Sequence, residues 1–293
     1  MAMDFNSNTK SRLNTFLLNP SKALWSLAIP IMFGMGVQTL YNLVDMIFIG
    51  RLGGEAIAGI AFNMPLFFLV LGLTMGLGTG VTASIARFIG QDNKKEADNS
   101  AEHALLMAII ISIVLCTVGL LFGENILAFF GAKGNIKILA WEYLHVMCIG
   151  MPFMIFSGFF RSILAGEGDM KFPMMIAGLG TVLNIILDPI FIFDLENYGG
   201  FGFGLGISGA AMATVISQII VFIIFIYMLF VKDHSYVTFK LKDFSFSTMI
   251  LWDIVKVGFP ASMSMVVMAF GQGVFNKILI YFSSDTVAAY QVA

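Results

Sequence analysis

Two carboxylates interrupt otherwise apolar runs: Asp45 in Tyr41-Asn42-Leu43-Val44-Asp45-Met46-Ile47-Phe48, and Asp188 in Asn184-Ile185-Ile186-Leu187-Asp188-Pro189. A charge inside a membrane helix costs about 2.5 to 3.5 kcal/mol on insertion scales, so each needs a partner, a proton or a water-filled cavity. Asn184 and Asp188 are four residues apart and share one helix face. Gln38, Tyr41 and Asn42 accompany Asp45, and Thr214, Ser217 and Gln218 form a third polar group. Two carboxylates in a poorly hydrated site titrate as a coupled pair, which is what proton exchange requires. Carboxylate, amide and hydroxyl oxygens equally ligate Na⁺, with Asp45, Asp188 and Asn184 as the ligands. The residues leave both ions open. They also leave open that each carboxylate only satisfies a neighbouring helix.

The elements that must position these groups are long apolar stretches, near 23–50, 56–86, 101–123, 136–160, 172–194, 207–231 and 251–282. Each reaches the roughly 20 residues needed to cross a bilayer, which predicts an all-α polytopic membrane protein of seven spans. Glycines at 72, 76, 78 and 80 mark the second span as bent or closely packed. Lys10, Arg12, Lys22, Arg87, Lys94, Lys95, Arg161, Lys171, Lys232, Lys240, Lys242 and Lys256 all fall on one side of this path. The positive-inside rule makes that side, with the N-terminus, cytoplasmic. Asp45, Asp188 and Thr214 then each lie about 8 to 11 Å from the outer ends of their helices, with Tyr41 and Asn184 a turn deeper.

Composition agrees. The 293 residues are 58% hydrophobic and 12% charged, with mean hydropathy +0.90, whereas soluble domains carry roughly 25% charged residues. A net charge of -2 offers no basic footprint for nucleic acid. Cys116 and Cys148 lie in separate spans without metal spacing, and His103, His145 and His234 are scattered. No nucleophile–base or metal motif marks an enzyme, and no cofactor is expected beyond a coupling ion.

The pattern divides the chain at 1–231, a six-span lobe, 232–250, a cytoplasmic linker, and 251–293, where the chain starts over. Sliding the sequence by 230 positions sets Pro30 on Pro260, Met35 on Met265, Val44 on Val274 and Glu55 on Asp285. An even number of spans per unit puts both units in the same orientation, the parallel arrangement of some secondary transporters. The second unit then looks cut short at Ala293. Phe239, Leu241, Phe244 and Phe246 alternate with charges in the linker, which is either an interfacial connector or an ordinary loop.

Pro30 sits well inside the first span and removes the helical donor for the carbonyl of Ser26. It is a kink, and either a hinge or only a bend. After the fourth span the sequence reads as a charged turn containing Arg161, Gly166, Gly168 and Asp169.

Three segments together resemble the multidrug and toxic compound extrusion (MATE) transporters, especially the prokaryotic members. They are Pro30 through Gly50-Arg51-Leu52-Gly53 to Gly59, Arg161 through Gly168-Asp169 to Pro173, and Asn184 through Asp188-Pro189 followed by Gly206 to Thr214. The resemblance implies two six-helix lobes about a central cavity, exporting small organic, often cationic, compounds against H⁺ or Na⁺ across the plasma membrane. It makes Asp45 the cation-coupling acid of the first helix, with Tyr41, Asn184, Asp188 and Thr214 as polar partners and Pro30 as the bending proline. Ser157 or Gly158 stands where that branch often has Asn. It also implies that most of a second lobe is missing from this chain. A lipid-linked saccharide flippase of related plan is expected to have a more basic cavity, and a seven-helix receptor an extracellular N-terminus.

Overall fold

The computed structural model describes residues 20–194, 202–239 and 244–292, with several side chains of the first helix also outside the description. In order the helices are α1 (Pro20–Gly50), α2 (Gly54–Gly90), α3 (Lys94–Phe129), α4 (Gly134–Gly166), α5 (Lys171–Ile192), α6 (Gly206–Ile226), α7 (Thr248–Leu279) and α8 (Ser284–Val292). A π-helical turn, Tyr227–Val231, continues α6. Among the described residues there is no strand. Six helices, α2 to α7, are long and apolar enough to cross a membrane. The 31-residue α1, several of whose side chains are not described, occupies the remaining stretch read as a span.

Most helices outrun the apolar stretches that announce them. At about 1.5 Å per residue α3 is about 54 Å long, well beyond the roughly 30 Å hydrocarbon core. It starts at the polar Lys94, where the Asn93 side chain accepts the Glu96 amide. The same extension corrects the reading of the turn after the fourth span. Arg161 and Gly166 belong to helix α4, not to a loop. Nothing between them breaks a helix, and Ile163 and Leu164 are buried and hold it in place. The chain turns only at Gly168, whose φ of 79° suits glycine.

The interior lies between α2, α4 and α6, with α3 and α5 on the flanks. Phe160 of α4 meets Phe222 and Phe225 of α6 at ring distances of 6.1 and 5.9 Å. Asn63 of α2 donates to the Ala140 carbonyl of α4 at 3.0 Å. Such a bond across two helices fixes register as well as satisfying the amide.

The glycines of α2 serve close packing. A Cβ at Gly76 would overlap the backbone of Ser262, and one at Gly80 the carbonyl of Ile254. Small residues allow backbones to approach, and α7 uses that space to lie antiparallel along α2. Asn276 of α7, fully buried, donates to the Ala61 carbonyl at 2.7 Å. At the other end Arg87 pairs with Asp253 at 2.6 Å. A displacement of 230 positions sets Gly54, the start of α2, on Ser284, the start of α8. The turn that joins α1 to α2 is thus matched by the turn that joins α7 to α8.

Candidate functional site

α5 buries a single stripe: Pro173, Ile176, Gly180, Asn184, Asp188 and Ile192. Almost every other position is also apolar, so the stripe is identified by its small and polar members, not by hydrophobic periodicity. Gly180 lets α6 come close, since a Cβ there would meet Val221. At the far end a Cβ at Gly209 would overlap the Phe191 carbonyl. These contacts set Thr214, one turn along α6, opposite Asn184. Pro189 has no N–H for the carbonyl of Ile185, which loosens the ladder beside Asp188.

The resulting group joins three helices. Asn184 Nδ2 donates to Asp188 Oδ1 and to Thr214 Oγ1, both at 3.3 Å, and Thr214 Oγ1 donates to the Ala210 carbonyl at 3.1 Å. Asp45, on α1, which packs along α5, lies close enough to Asp188 for the two carboxyl groups to interact. Asp188 is fully buried. Asp45 Oδ1, Asp188 Oδ2 and Asn184 Oδ1 are buried with no hydrogen-bond partner among the described residues. Three buried oxygens, two of them from carboxylates, can take a proton or a small hard cation. Among the described residues no cluster of three His, Cys, Asp or Glu side chains offers a transition-metal site.

Of the residues singled out from sequence, the structure thus brings together Asp45, Asn184, Asp188 and Thr214. The side chains of Tyr41 and Pro30 lie outside the described residues, although α1 is helical through both positions. Ser157 is fully buried and its hydroxyl has no partner among the described residues. A Cβ at Gly158 would meet Thr74.

Tyr143 was not singled out. It packs with Ile49, Ile60, Ile192 and Ile207, and lies within charge range of both Asp45 and Asp188. In sequence it follows Trp141 near a helix end, the signature of an interfacial aromatic. Only the folding of α4 against α2 and α6 turns it toward the acids.

The second group of named residues lies at the opposite, Lys/Arg-rich end. From Lys171 to Asp188 the α5 helix spans about 25 Å. Arg161 Nε is buried without a partner among the described residues. A Cβ at Gly166 would press on Ile85 and the Thr82 carbonyl. Asp169 accepts the Phe172 amide at 3.3 Å and bonds His234 Nε2 at 3.1 Å. Glu167, Asp98 and His103, which sequence reasoning left without a role, also act here.

Helices packed in this way define a polytopic membrane protein with paired acids buried between its helices. The MatE family model matches residues 30–190, and the chain belongs to that family. It is 30% identical over 268 residues to the probable multidrug resistance protein YoeA of Bacillus subtilis, covering 90% of this chain and 57% of the relative. Against the multidrug export protein MepA of Staphylococcus aureus the identity is 30% over 275 residues, covering 93% and 58%. A solved structure described as the inward-facing conformation of a multidrug resistance MATE family transporter superposes with a TM-score of 0.82 at 39% identity, covering 92% of this chain and 60% of that one. The chain therefore spans less than two thirds of the length of these relatives.

Proposed function

We propose that this chain serves secondary multidrug export, in which small organic, often cationic, compounds leave in exchange for H⁺ or Na⁺. One observation carries the reading: Asp45 and Asp188, on two helices that pack together, each keep a buried carboxylate oxygen without a partner among the described residues. Asp45, Asn184 and Asp188 hold the coupling cation, Thr214 orients the Asn184 amide, and Tyr143 borders the site. Tyr41 and Pro30 keep the partner and hinge roles that the family resemblance implies. No covalent step is involved, so the protein is a carrier and not an enzyme. Export on this plan takes two lobes about one cavity, with α1 to α6 as the cation lobe and α7 the first helix of the second. The Lys/Arg-rich end, and with it the N-terminus, faces the cytoplasm, and the membrane is the plasma membrane.

A ligand that binds only the folded state raises its stability. In detergent, Na⁺ or mild acidification is therefore expected to raise the melting temperature of the purified chain, and the ion that does so is the coupling ion. Asp45→Asn is expected to abolish the response while leaving membrane insertion intact. A response unchanged in Asp45→Asn would rule the assignment out.

A further inference from the structure

The connection between α6 and α7 is built unlike a loop. Three consecutive amides, those of Tyr236, Val237 and Thr238, donate to side-chain carboxylates. Tyr236 reaches Glu167 Oε2 at 2.9 Å, Val237 reaches Glu167 Oε1 at 3.0 Å and Thr238 reaches Asp98 Oδ1 at 2.9 Å. The Ser235 hydroxyl donates to Glu167, and the Thr238 hydroxyl to Asp98 at 2.8 Å. Lys94 donates to the Tyr236 carbonyl at 2.9 Å and lies over its ring. Val237 is 2% exposed and Glu167 8%, so the segment is folded into the protein and not laid on it.

Both ends of this segment engage transmembrane helices. His234 bonds Asp169 and packs on Phe172 at 4.3 Å, and Asp169 accepts the Phe172 amide in the first turn of α5. At the other end His103 Nε2 accepts the amide of Ser247, the cap of α7, while its ring lies against Phe244 and Phe246. His103 Nδ1 must then carry the hydrogen donated to the Asn99 carbonyl at 2.8 Å. Asp98 and His103 are both on α3. A slack connector needs none of this, because water satisfies loop amides without burying a carboxylate.

Resting on the cation-site reading above, we propose that Glu167 is a positioning residue that makes residues 232–239 a strap from the end of α6 to the first turn of α5. A displacement of the helix that carries Asn184 and Asp188 is handed to this strap instead of being absorbed in a loose connection. Glu167 holds the middle of the strap, and Asp98 its far end.

Amide hydrogen exchange, followed by mass spectrometry on the full chain in detergent, tests this. Residues 236–238 are expected to exchange slowly, and Glu167→Ala to accelerate them about tenfold or more, since a bond to a carboxylate is worth at least that factor in a local opening equilibrium. Glu167→Gln keeps the side-chain length and one acceptor oxygen, enough for Ser235 and Val237, and is expected to restore protection at 237 but not at 236. Asp188→Asn is expected to change exchange at 236–238, and that change to vanish when Glu167→Ala is added. Exchange at 236–238 that is unaltered by Glu167→Ala overturns the positioning role. Exchange at 236–238 that ignores Asp188→Asn overturns the coupling. A melting response to Na⁺ or acid that survives Asp188→Asn overturns instead the cation reading on which the coupling rests.

Discussion

The acids at the two ends of α5 are treated in opposite ways. Near its C-terminal end Asp188 spends one oxygen on Asn184, and its second oxygen, like Asp45 Oδ1, is buried without a partner among the described residues. Before its first turn Glu167 accepts two amides and a hydroxyl, and Asp98 accepts an amide, a hydroxyl and the Lys94 ammonium. The first pair retains capacity for an ion, while in the second every carboxylate oxygen has a partner and holds chain. Burial alone does not separate the two kinds of acid. The count of oxygens left without a partner does.

The sharpest way to break this contrast is Asp188→Asn. It is isosteric and removes a costly buried charge, so the cation response is expected to be lost completely while stability changes by less than about 1 kcal/mol. Unfolding in graded SDS, with and without Na⁺, reads both. Glu167→Ala is expected to behave in the reverse way. It strands two buried amides and destabilises by about 3 kcal/mol, each unsatisfied buried donor costing about 1 to 3 kcal/mol, and leaves the cation response in place.

A smaller effect concerns pH. Burial is the largest influence on the Glu167 carboxyl and raises its pKa above the ordinary 4.5, opposed by its bonds to Ser235, Val237 and Tyr236 and reinforced by the Asp169 charge. The folded state therefore binds this proton more tightly than the unfolded one. Its contribution to stability is full below about 4.5 and lost as pH rises through the raised value. A pH series of the same unfolding measurement should show that slope, and Glu167→Gln should flatten it. Smallest of all is Thr214→Val, which deletes one neutral hydrogen bond to Asn184 and is expected to cost about 1 kcal/mol. A loss several times larger would mean that Thr214 meets the ion directly.

Much of this was legible in the residues. Asp45 and the Asn184–Asp188 pair are conspicuous because nothing else around them is polar, and the apolar stretches are long enough to count. Helix ends were less legible: Arg161 to Gly166 look like a charged turn, yet buried Ile163 and Leu164 keep them helical. Tyr143 and Glu167 could not be read at all. An aromatic near a helix end and a glutamate in a turn are ordinary in sequence, and each acquires its role from residues more than 40 positions away.

The sequence by itself determined the class of protein, the long apolar stretches that become helices and the polar residues that interrupt them, because hydropathy, length and the cost of a buried charge act locally along the chain. Only the tertiary structure decided which oxygens are left over. That depends on which helices meet: the close approach of α6 to α5 places Thr214 on Asn184, α1 brings Asp45 to Asp188, and the strap consumes the acids at the other end. Partnership between distant groups follows from packing, which the order of residues does not state.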